Sequence, residues 1–127
     1  MEEAFRAHLL AWSGLQALVA DRIDWGLRPP TLPSIRLQVI SAPRLYTYAG
    51  RVNLLPYRVQ ADCFGVRYAD AKRAAREVAA ASEDLERPEW DAAFILAERD
   101  DQDTDAAGKV VHRTSLDLQL WHQSSST

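Results

Sequence analysis

The chain has 127 residues, 47% of them hydrophobic and 26% charged, with a formal net charge of −3 at pH 7. That length suits one domain with one core, the composition excludes a disordered tail, a collagen-like fibre and a disulfide mini-protein, and the single Cys63 excludes an internal disulfide or a multi-cysteine zinc site. Mild acidity argues against a dedicated nucleic-acid binder, no apolar run approaches the roughly 20 residues of a membrane span, and the acidic start Met1-Glu2-Glu3 lacks the basic opening of a signal peptide, so folding in the bacterial cytoplasm is expected.

The spacing predicts a helix from Glu2 to Trp12. Phe5, Leu9 and Trp12 fall on one face with Leu10 alongside, and two glutamates sit in the first turn, where negative charge suits the helix dipole. Ser13-Gly14 interrupts it, and Leu15, Leu18 and Val19 give one more apolar turn. Arg22 to Gly26 reads as a short extended piece. Leu27 to Pro33 contains three prolines and is expected to be an ordered loop. Ser34 to Ala42 alternates as a strand. Tyr46-Thr47-Tyr48 has strand character and Gly50 and Asn53 have turn character. Tyr57 to Phe64 alternates cleanly, with Val59, Ala61 and Cys63 on one face and Arg58, Gln60 and Asp62 on the other.

Asp70 is placed to cap a helix that runs to about Leu85. Its stripe of Ala71, Ala74, Val78, Ala81 and Leu85 is narrow and small enough to dock closely on a sheet. Ala92 to Arg99 and Val110 to His122 are predicted strands, with Asp100 to Lys109 as an aspartate-rich turn between them. Residues 1–123 form one predicted domain, and Ser124 to Thr127 a frayed tail. The order of helix, strands, helix and strands gives an α+β fold: an antiparallel sheet flanked by an N-terminal helix and a central alanine-rich helix.

Charge is uneven along the chain. Residues 1–57 hold six arginines against four acids, whereas residues 58–127 hold nine basic residues against fourteen acids. The run Asp101-Gln102-Asp103-Thr104-Asp105 matches the opening of a calcium loop. However, Ala106 stands where that loop needs glycine and His112 where it needs a glutamate, and the flanks read as strands. A solvated hairpin tip is the better reading. His112 and His122 lie on one strand about 34 Å apart at ~3.4 Å per residue, too far for one metal. Asp62 and Asp117 sit on polar strand faces, where solvated charge is the default. Cys63 shares its face with apolar neighbours and is expected to be buried. No nucleophile elbow, dinucleotide fingerprint or phosphate loop is present, so no catalytic, cofactor or metal residues are assigned. Trp121 lies on the strand face opposite Leu116, Leu118 and Leu120; a ring there marks either a contact with another chain or a face covered by a second helix.

As an ordered set of blocks, the chain resembles the small tail-completion, or tail-terminator, proteins of long-tailed phages, prophages and gene transfer agents. The blocks are the helix Glu2–Trp12 with Gly14-Leu15-Gln16-Ala17-Leu18-Val19, then Arg22-Ile23-Asp24-Trp25-Gly26 before a proline-rich link into Pro33–Ile40. Arg58-Val59-Gln60-Ala61-Asp62-Cys63-Phe64-Gly65 and Tyr68-Ala69-Asp70-Ala71-Lys72 match best, followed by Phe94–Asp101 and by Arg113 through His122. Asn53-Leu54-Leu55-Pro56 departs from the glycine-rich polar linker of that pattern.

The resemblance implies a non-enzymatic virion protein. It would form a ring, typically of six subunits, that caps the tail tube, ends its polymerisation and offers a surface to the head connector. Its partners would be copies of itself, the tail tube protein and a head-completion protein, with DNA passing through unheld. On that reading Arg58, Arg113 and Trp121 are expected at subunit or partner contacts, and Asp100, Asp101, Asp103 and Asp105 in an acidic lumen or rim. A different neck component, a head-closure or adaptor protein, is the nearest alternative; a small ligand-binding module or enzyme is the more distant one.

Overall fold

The computed structural model describes residues 1–42, 44, 46–47, 50–51 and 54–123. The predicted tail at 124–127 and the predicted turn at Asn53 lie outside the described residues. Among the described residues three helices, α1 (Glu2–Ala11), α2 (Ser13–Val19) and α3 (Tyr68–Glu83), lie on one face of a five-stranded sheet. The sheet order is β1 (Ile23–Trp25), β2 (Ser34–Ser41), β5 (Leu54–Gly65), β7 (Val110–Gln123) and β6 (Trp90–Thr104). A small separate ribbon pairs β3 (Tyr46–Thr47) with β4 (Gly50–Arg51).

The expected α+β class holds, with one exception to the antiparallel sheet. β1 runs parallel to β2, pairing Ile23, Asp24 and Trp25 with Ile35, Arg36 and Leu37. The proline-rich loop 26–33 is the cause. It leaves β1 at Gly26, whose φ of 84° suits glycine and whose N–H donates to the Leu37 carbonyl, and carries the chain back to the starting end before β2 begins. A tight turn would have paired the two strands antiparallel.

The core lies between the helices and the face from which alternate strand residues project. Phe5, Leu9, Leu15, Val19 and Val78 meet Ile35, Leu37, Ala61, Leu116, Leu118 and Leu120, all fully or almost fully buried. α3 supplies the predicted alanines: Ala71, Ala74 and Ala81 are buried, joined by Ala75 and Ser82. These small side chains let the helix lie close to the strands.

The α1–α2 break falls at Trp12, one residue before the predicted Ser13-Gly14. Its backbone is extended, and its indole N–H donates to Glu77 on α3 at 2.8 Å. Asp70 does not cap α3. Arg67 holds the cap position, and Asp70 sits within the first turn with its carboxylate 3.2 Å from the Arg67 guanidinium. Just before it, Gly65 ends β5 so near the helix that a β-carbon there would stand 2.7 Å from the Asp70 Cβ and 2.8 Å from the Ala71 nitrogen.

The strand predicted to end at Arg99 runs on to Thr104, and the turn shrinks to Asp105–Lys109. Aspartates favour turns in isolation. Here Asp100, Asp101 and Asp103 are registered opposite Thr114, Arg113 and Val111. Lys72 and Arg113 neutralise them from the two faces of the strand. Only Asp105 acts as a turn residue, its Oδ1 accepting the N–H groups of Ala107 and Lys109 at 2.9 Å. Leu54-Leu55-Pro56, the departure from the family pattern, is the first part of β5 and pairs with β7.

Candidate functional site

The sheet face opposite the helices is polar and ordered. At its centre Asp62, on β5, is 0% exposed although it projects away from the hydrophobic core. Register explains this: Arg36 of β2 lies across from it on one side and Ser115 of β7 on the other. Asp62 Oδ2 accepts from Arg36 Nε at 3.1 Å and from its terminal nitrogen at 2.7 Å. Oδ1 accepts from Gln60 at 2.7 Å and from Ser115 Oγ at 2.6 Å. Burial pushes the Asp62 carboxyl up, but the hydrogen bonds from Gln60, Ser115 and Arg36, with the Arg36 charge, outweigh it and hold it below the usual carboxylate range.

Phe64, two residues along β5, is covered in the same way. The guanidinium carbons of Arg28 and Arg36 stand 5.3 and 5.4 Å from its ring centroid, within cation–π range. Arg99 pairs with Asp117 at 2.5 Å. Arg113 pairs with Asp101 at 2.9 Å and Asp103 at 3.7 Å. The result is a lattice of arginines and carboxylates tying β2, β5, β7 and β6 together across their outer surface.

The residues assigned from sequence fall in different settings. Arg58 and Trp121 both project from this face. Arg58 is exposed and has no ion pair among the described residues; Trp121 is half-buried opposite Pro56 and Ala92. Arg113 is also there, but committed to its two aspartates. The four aspartates do not form one patch. Asp101 and Asp103 face Arg113. Asp100 lies on the helix side, where Lys72 at 2.8 Å, Tyr68 and Thr114 contact it. Lys72, Tyr68 and Thr114 together lower the Asp100 carboxyl, and the Gln102 N–H and Arg113 lower Asp101. Asp105 is spent on the turn.

Among the described residues no three His, Cys, Asp or Glu side chains converge as metal ligands. Cys63 is fully buried, and burial, helped by the charges of Asp62 and Glu98, pushes its thiol up. Sequence reasoning missed the buried role of Asp62. The signal was Gln60 and Asp62 at i, i+2 on one strand with arginine on another, but only the register brings Arg36 and Ser115 to it.

Of the exposed large apolar residues, Leu27, Val66, Tyr68 and Val110 are scattered over loops, α3 and β7, and four lie toward the sheet margins. Phe94 and Leu96 lie on β6, and Val39 and Ile40 at the end of β2. No protein-family model matches the sequence, and a search of curated proteins finds no match. Among solved structures, a chain of the virion of a native gene transfer agent particle has the same fold. It superposes with a TM-score of 0.72 at 18% sequence identity, over 98% of this chain and 95% of that one.

Proposed function

We propose that this chain is a structural protein of a phage-like particle. It assembles as a ring on the end of the tail tube, stops tube growth and presents the surface to which the head joins. The observation that carries the reading is the fold shared, over nearly the full length of both chains, with a component of a gene transfer agent virion. The ordered sequence blocks of the tail-terminator family support the finer assignment. The polar face is consistent with a protein that works by contact, because its charges are paired into a stiff surface rather than gathered around a reactive group.

In the ring, Arg58 and Trp121 contact a neighbouring subunit or the tube. Arg113 acts one step removed, by fixing the outer hairpin. Asp100, Asp101, Asp103 and Asp105 contribute to a rim in which carboxylates outnumber the cations Lys72 and Arg113 that pair with them, so DNA passes without the counterion release that would hold its phosphates. Arg58→Glu tests the contact cleanly, since it breaks no ion pair among the described residues. Its expected outcome is a shift from ring to monomer in sedimentation with an unchanged circular dichroism spectrum; an unshifted ring removes Arg58 from the contact. At the level of the particle, tails made without the protein are expected to be overlong. Normal tails on filled heads would overturn the reading. Tails of normal length that fail to join heads would favour a head-closure or adaptor role.

A further inference from the structure

The two margins of the sheet differ in the way a head-to-tail contact requires. We infer that the outer edge of β6 in one copy of this chain adds to the exposed end of β2 in the next, so that neighbouring copies build one continuous sheet. This rests on the ring reading above and names the ring's contact.

β6 is 15 residues long, and among the described residues no strand pairs with its outer edge. It leaves Phe94 51% and Leu96 46% exposed. An unpaired edge strand is a template for pairing; the charges of β6 and its two bulges, at Trp90–Ala92 and Ile95–Ala97, restrict which strand can add to it, and the uncharged stretch with Phe94 and Leu96 is where one can. Among the described residues the opposite margin is incomplete. β1 covers β2 only at Ile35–Leu37, while β2 continues to Ser41, and there Val39 is 39% and Ile40 56% exposed.

Charge selects between the possible pairings. Residues 20–44, around the β1–β2 margin, hold four arginines against two aspartates; Arg36 is committed to Asp62, and Arg6 of α1 offsets Asp24, so the margin stays positive. Residues 86–105, which make β6 and its flanks, hold two arginines against eight acids. Lys72 and Arg113 reach this margin and reduce its negative charge without cancelling it. Because the strand order sets β1–β2 and β6 at opposite ends of the sheet, the uneven charge along the sequence becomes opposite charge on opposite edges. Pairing β6 with β6 would oppose acid to acid and stop at a two-fold dimer. Pairing β6 with β2 opposes unlike charges and leaves one edge of each kind open, the arrangement that propagates and closes.

Ile40→Cys and Leu96→Cys, made separately, test this, the native Cys63 being buried. Mixed under mild oxidation, in concentrated solution and in assembled particles, the two variants are expected to yield a disulfide-linked dimer as the main product. Each alone is expected to stay single. A dimer from Leu96→Cys alone overturns the inference in favour of a two-fold β6 contact. No cross-link while the unaltered protein still sediments as a ring overturns the contact and leaves the ring standing. Neither cross-link nor ring, free or on particles, overturns the ring reading with it.

Discussion

Asp62→Ala is expected to lower the unfolding free energy by about 3 to 4 kcal/mol at neutral pH, as removing one partner of a buried ion pair does. The carboxylate is an acceptor for four donors, two from Arg36 and one each from Gln60 and Ser115. Alanine leaves all four facing a gap. Asp62→Asn is expected to cost about half as much. Its oxygen can keep Arg36 while its amide nitrogen turns toward Ser115, which can accept, and toward Gln60, whose own amide can flip. The two variants also separate by pH. The native carboxyl lies below its unfolded value, so its stabilisation is complete above the unfolded carboxylate pKa of about 3.9 and is lost as pH falls through the lowered native value. Urea unfolding should therefore show a constant gap between wild type and Asp62→Asn from neutral pH to about pH 5, narrowing below about pH 4. A gap that does not narrow would mean that Asp62 acts by shape rather than charge.

Gly65→Ala is expected to destabilise by about 2 to 3 kcal/mol, the scale of overpacking in a tight core. The added methyl group meets the Ala71 nitrogen at 2.8 Å and the Arg67 carbonyl at 3.0 Å, both backbone atoms that cannot swing aside. The first turn of α3 would have to lift from the strand, loosening the Arg67–Asp70 pair. The thermal midpoint should fall by on the order of 10 °C. An unchanged midpoint would show that the helix start is free to move and is not fixed by this approach.

Alternation made β5 and β7 legible, because each has one face in the core and a single-residue slip would invert it. The alanine stripe of α3 was legible because small apolar residues recur at helical spacing on its buried side. What stayed hidden depends on partners far away in sequence. Asp62 looked solvated because its strand face is polar, and only the β2–β5–β7 register shows that Arg36 and Ser115 enclose it. Residues 100–104 looked like a turn because aspartate prefers turns. Lys72, 28 residues before Asp100, and the facing strand decide otherwise. The parallel pairing of β1 needs the path of the proline-rich loop, which composition does not specify. Of the residues assigned from sequence, Arg58, Arg113 and Trp121 were placed on the face opposite the core by alternation alone. The aspartates were grouped by proximity in sequence, which a strand divides between its two sides.

The burial of Cys63 has a practical consequence. A thiol buried in the hydrophobic core, with Asp62 and Glu98 adding to the effect of burial, stays protonated and out of reach of maleimides. Fluorophores can therefore be attached at single introduced surface positions in the native background. Association of the labelled chain with unlabelled or differently labelled copies is then readable by energy transfer in real time.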